Sequence, residues 1–172
     1  MTGDEVIELL NLRPLPVEGG YFRQSYRAAD TVSAAALPGR YRRDKPVCTA
    51  IYYLFTADPD SFSALHRLPT DEIYHFYLGD PVEMLLLYPE GNSAVVRLGP
   101  DLRAGQQVQF VVPAGVWQGS RLAAGGSFAL LGTSMAPGYD EMDYTGGERG
   151  ALSELYPGRA QLIWSLTRST TG

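Results

Sequence analysis

The chain has 172 residues, a net charge of −5 and a pI of about 5.0, which describes one acidic domain long enough to bury a real core. That balance argues against a nucleic-acid partner, which would need a basic face to neutralise phosphates. Nineteen glycines, twelve prolines and eleven tyrosines favour turns and short strands, and no run approaches the ~18 apolar residues of a membrane helix.

Residues 4–11 read as a short helix, with Asp4 as its cap, Val6, Leu9 and Leu10 on one face, and Pro14 ending the pattern. The acidic start lacks the basic region of a secretory leader. The single cysteine, Cys48, forbids an intrachain disulfide, so a cytoplasmic location is expected. Cys48 itself falls in an apolar run and reads as a buried packing residue. Arg40, Arg42, Arg43 and Lys45 cluster beside Pro38 and Gly39 and read as a solvated loop.

From residue 19 to about 135 the pattern is β throughout. Strands are expected at 20–27, 47–55, 62–66, 73–78, 82–88, 94–98, 108–112, 116–122 and 127–134. Turn residues separate them, as in Gly79-Asp80-Pro81, Glu90-Gly91-Asn92 and Pro113-Ala-Gly115. Regular spacing of short strands implies a sandwich or barrel. In the tail, Ala151, Leu152 and Leu155, then Leu162, Ile163 and Leu166, recur at helical spacing around Pro157-Gly158. Two short helices packed on the barrel are expected. Asp140, Glu141 and Asp143 form an acidic run that reads as a solvated loop, or as a lid in the sharper view.

Both histidines of the chain lie in one segment, Phe62-Ser-Ala-Leu-His66-Arg-Leu-Pro-Thr-Asp-Glu72-Ile-Tyr-His75-Phe-Tyr-Leu-Gly79. Imidazole suits proton transfer near neutral pH and metal ligation, and Glu72 stands beside it in sequence. The chemistry of the protein is expected around this segment.

The interval from His66 to Glu72 to Gly79 resembles the first motif of the cupins, Gly-x5-His-x-His-x3-4-Glu-x6-Gly. Pro113-Ala-Gly115-Val-Trp-Gln118 resembles their second motif, Pro-x-Gly-x-x-His, with Gln118 in the histidine's place. A narrower likeness is to the cupin group catalogued as domain of unknown function 985. It is carried by Pro16-Val-Glu-Gly-Gly20-Tyr-Phe-Arg-Gln-Ser-Tyr26, by His66 to Gly79, and by Pro137-Gly-Tyr-Asp140. The resemblance implies a single domain over residues 1–172. It would be an all-β jelly roll, a double-stranded β-helix barrel with a short N-terminal helix and short C-terminal helices. A homodimer and a small-molecule pocket in the barrel mouth are expected with it.

Metal-binding cupins use three histidines and a glutamate, whereas this chain has Leu68 and Gln118 at two of those places. No cofactor is therefore expected; a divalent metal, if present, would fall to His66, Glu72 and Gln118. Alternation turns His75 away from Glu72 on a regular strand. The remaining role for His66 resembles that of the cupin-fold epimerases of nucleotide-linked keto sugars. In them a histidine removes the proton beside a ketone and a tyrosine returns one from the opposite side. On that likeness the catalytic set is His66, Glu72 and Tyr52, with Tyr21, Tyr74, Tyr77 and Tyr144 as other possible donors. Tyr21, Arg23, Gln24, Arg67, His75, Tyr77, Trp117, Gln118 and Tyr144 are expected to line a carbohydrate-like or nucleotide-sugar site. The alternatives are a non-catalytic small-molecule binding protein and a metal-dependent cupin enzyme with an incomplete ligand set.

Overall fold

The structure is a computed structural model that describes residues 1–168. Helix α1 spans Gly3–Leu10. Its cap is Thr2, not Asp4: the Thr2 hydroxyl accepts from the Glu5 N–H and the Glu5 carboxylate returns the bond. Asn11 ends the helix in the left-handed region, three residues before the proline expected to do so.

Thirteen strands follow among the described residues. They are β1 (Arg13–Pro14), β2 (Tyr21–Arg27), β3 (Thr31–Val32), β4 (Lys45–Pro46), β5 (Thr49–Thr56), β6 (Phe62–Arg67) and β7 (Glu72–Gly79). After them come β8 (Val82–Leu87), β9 (Ser93–Leu98), β10 (Gln109–Val112), β11 (Trp117–Leu122), β12 (Phe128–Met135) and β13 (Thr145–Gly146). All nine expected strands are present, most shifted by a residue at one end. The four additions are two-residue bridges. The tail forms α2 (Arg149–Leu155) and α3 (Ala160–Ser165).

The pairing is nested. β8 pairs with β9, β7 with β10, β6 with β11 and β5 with β12, all antiparallel, like one long hairpin folded onto itself. Alternate pairs go to alternate sheets. One sheet runs β1-β2-β5-β12-β7-β10 and the other β13-β6-β11-β8-β9. Their facing sides share a core that includes Tyr53, Phe55, Met84, Leu86, Ala129 and Leu131.

β8 explains its unbroken apolar run, because both of its faces are buried. Met84 and Leu86 point between the sheets, while Leu85 and Leu87 meet Leu152, Tyr156, Ile163 and Leu166 of the C-terminal helices. Helix α1 covers part of the other sheet's outer face, where Val6 packs with Leu54, Phe128 and Leu130. No helix among the described residues is long and apolar enough to cross a membrane. Two loop readings change. Lys45 is 2% exposed and pairs with Asp143, so neither the arginine-rich loop nor the acidic run is simply solvated. Cys48 is half-buried just before β5 rather than in the core.

Candidate functional site

β6 carries a local irregularity that builds the site. His66 pairs with Gln118 and Ser63 with Ser120, so the register slips between them. On a regular strand, residues 63 and 66 would face opposite ways. The extra residue lets both face the barrel interior with Gln118 and Ser120, and all four are at most 2% exposed. Ala64 and Leu65 take up the slack and pack toward the C-terminal helices.

His66 Nδ1 lies 2.8 Å from the Ala64 carbonyl oxygen. A carbonyl only accepts, so the ring carries a proton on Nδ1 and its Nε2 is left to accept one when neutral. Tyr144 stacks on this ring, with centroids 5.2 Å apart and planes 18° from parallel. β13 holds it there, pairing Thr145 with Arg67 and Gly146 with His66.

Glu72, at the start of β7, receives the Gln118 amide N–H at 2.7 Å and the Tyr74 hydroxyl at 3.3 Å on one oxygen. Burial raises the Glu72 carboxyl above the usual range; the neighbouring His66 pulls it down and Glu18 pushes it up again. Burial also raises Tyr53 and Tyr74 well above an ordinary phenol, and Tyr144 to about 12, so all three are proton donors at neutral pH. The Gln118 Oε1 is buried and has no hydrogen-bond partner.

Glu18 was not among the sequence candidates. It sits in the turn before β2, where Val17 has φ +69°, a costly conformation for a β-branched residue. The turn is tied down by Arg168 Nε donating to the Val17 carbonyl and by the Ala64 N–H donating to that of Glu18. Its carboxylate then accepts from Ser63 Oγ at 2.8 Å, at the edge of the His66 cluster.

The structure thus brings together His66, Glu72, Gln118, Tyr74 and Tyr144 from the expected residues and adds Glu18, Ser63 and Ser120. The rest lie elsewhere. Tyr52 and Tyr77 meet edge to face on the outer side of the six-stranded sheet, with Arg23 over Tyr52. Alternation sends Tyr53, not Tyr52, into the interior. His75 is on that same outer side, stacked on Tyr77 and bonded to Ser134 Oγ at 3.1 Å. Tyr21 packs on the α1 side, Gln24 is exposed, and Arg67 lies over the Trp117 ring outside the interior.

The donor set does not fit a transition metal. Among the described residues no group of three or more His, Cys, Asp or Glu side chains is placed to hold a metal ion, and buried Leu68 occupies a position where metal-binding cupins have a ligand.

A rolled pair of antiparallel sheets with a polar interior is the cupin architecture. The chain belongs to the cupin superfamily, in the family described as DUF985, whose profile matches residues 4–146. It is 30% identical over 145 residues to the uncharacterized protein YML079W of Saccharomyces cerevisiae, covering 74% of this chain and 67% of the yeast one. The solved structure of protein SO0799 from Shewanella oneidensis superposes with a TM-score of 0.85 at 30% identity, covering 98% of each chain. A hypothetical protein from Leishmania major also gives 0.85, at 29% identity, over 98% of this chain and all of that one (100%).

The raised carboxyl has a consequence for stability. A group whose folded pKa exceeds its unfolded value favours folding while protonated, and that contribution is lost as pH rises through the folded value. Glu72→Gln keeps an oxygen for the Gln118 amide but never ionises. Its melting temperature is expected to exceed that of the wild type near about pH 8, with the gap closing toward about pH 4. Thermal unfolding of both proteins across that range checks this; a gap that does not change with pH refutes it.

Proposed function

We propose that the barrel interior binds a small polar, carbohydrate-like ligand, and that His66 acts on it as a metal-free general base beside a carbonyl. The observation that carries this reading is the buried Gln118 amide oxygen, unpartnered beside a histidine of fixed tautomer. An orphan acceptor in the interior costs about 1–3 kcal/mol, and a ligand hydroxyl would satisfy it. His66 Nε2 is the accepting atom for a carbon-bound proton. Tyr144 and Tyr74 are neighbouring phenols able to donate one, and the Glu72 carboxyl, raised by burial, is a further titratable group beside them. The reaction class is proton exchange at the carbon next to a ketone, as in an epimerase or isomerase of keto sugars, free or nucleotide-linked.

The test is deuterium uptake from D₂O at that carbon, followed by NMR over a panel of such sugars. Wild-type protein is expected to catalyse exchange on at least one, and His66→Ala to slow it by about 10²-fold or more. Exchange at the wild-type rate in His66→Ala would eliminate the base role. Ligands that bind without exchange would identify a binding protein instead.

A further inference from the structure

We propose a second binding site, separate from the His66 cluster: a cavity of about 630 Å³ that takes a small molecule bearing a diphosphate or comparable oligophosphate group. Four pieces of chain form it. They are the loop with Arg40, Arg42, Arg43 and Lys45, the end of β6 at Arg67 with Leu68 and Pro69, the turn at Gly115, and the Asp140–Thr145 segment.

Charge is the first argument. Five cations and two carboxylates line the cavity, a net of +3 in a chain whose own net charge is −5. Lys45 is already matched by Asp143. None of the four arginines has a carboxylate within ion-pair distance among the described residues. Like charges gathered in one concavity repel each other, and an acidic protein has carboxylates to spare for surface pairing. The arrangement is relieved by a bound anion of matching charge.

Preorganisation is the second. Arg40 Nε donates to the Pro69 carbonyl at 2.8 Å, and its guanidinium lies 4.8 Å from the Tyr41 ring centre. Tyr41 is itself buried and bonded to Thr70 Oγ1 at 2.9 Å. Arg67 is laid over Trp117. The Lys45–Asp143 pair ties the loop to the opposite wall. Two guanidiniums are therefore held in place before any ligand arrives, while Arg42 and Arg43 stay exposed and free to close on it.

Chemistry selects the ligand class. Guanidinium is a planar fork that matches phosphate oxygens two at a time. One carboxylate carries too little charge to answer four arginines, whereas each phosphoryl group adds about one to two negative charges. The volume is that of an ordinary small-molecule pocket. Tyr144, which stacks on His66, is flanked by the lining residues Asp143 and Thr145, so the site adjoins the barrel interior without depending on the role given to His66.

Inorganic pyrophosphate is the probe, titrated by calorimetry into the full chain at low ionic strength. Arg42→Gln/Arg43→Gln is the test variant, because both side chains are exposed and their loss is expected to leave the fold intact. Arg13→Gln/Arg103→Gln, also exposed and changing net charge equally, is the control. The wild type is expected to bind, the test variant to bind at least about tenfold more weakly, and the control to bind like the wild type. No binding by the wild type, or equal weakening in both variants, would overturn the site. Citrate binding as tightly as pyrophosphate would overturn its assignment to phosphate.

Discussion

Gly79→Ala is expected to lose about 3–4 kcal/mol of stability, a large effect for one added methyl group. Gly79 closes the His66–Glu72 motif and has φ +99°, a conformation in which an L side chain is strained. A Cβ there would also sit 2.3 Å from the Phe128 carbonyl oxygen and 3.0 Å from the Ala129 Cα. Those are backbone atoms of the neighbouring strand. They cannot yield, because the Asp80 N–H donates to the same Phe128 oxygen and the Ser127 N–H to the Asp80 carboxylate. Gly91→Ala separates strain from collision, since Gly91 has φ +92° but open space around it. It is expected to lose only about 1–2 kcal/mol. Urea unfolding of the two variants decides the matter; equal losses would remove the steric explanation.

The second large effect is expected at Asp143. Lys45 is almost wholly buried, and the Asp143 carboxylate is its counter-ion. Asp143→Ala strands a buried ammonium, which costs about 3–5 kcal/mol when the partner is simply deleted. Asp143 also receives the Asp140 N–H and completes the cap of the turn at Glu141–Asp143. Adding Lys45→Met removes the stranded charge. The double variant should recover all but about 1 kcal/mol, the share left to the cap. Chemical denaturation of wild type, single and double variants closes the cycle. A double variant as unstable as Asp143→Ala would show that the charge was not the cause.

The nine long strands were legible because their apolar runs are bounded by glycine, proline and aspartate turns. The bridges β1, β3, β4 and β13 were not, since two residues carry no periodicity. His66, Glu72 and Gln118 were legible through their resemblance to the two cupin motifs. Tyr52 was not separable from Tyr53 by alternation. Helix α1 covers Leu54 and Phe128 on the outer face, so both faces of β5 read as apolar. Ser63 was hidden by the register slip in β6, which alternation cannot see. Glu18 lies within a glycine turn, where a side chain's direction depends on backbone angles such as that of Val17 and not on any periodicity. The basic loop was visible as a charge cluster. Its cavity was not, because Arg67 and Asp143 come from distant parts of the chain.

The nested pairing also orders the events of folding. β8 and β9 are joined by residues 88–92 alone, so that hairpin closes at little entropic expense. β5 and β12 are separated by residues 57–127, and joining them first would gather that whole loop at once. Each inner pair shortens the free chain left for the next, so the favoured route zips from the β8–β9 tip outward. His66 and Gln118 belong to the third pair of the series. They become neighbours only after most of the roll exists, and a chain that has stalled at its inner hairpins holds a hydrophobic seed but no site.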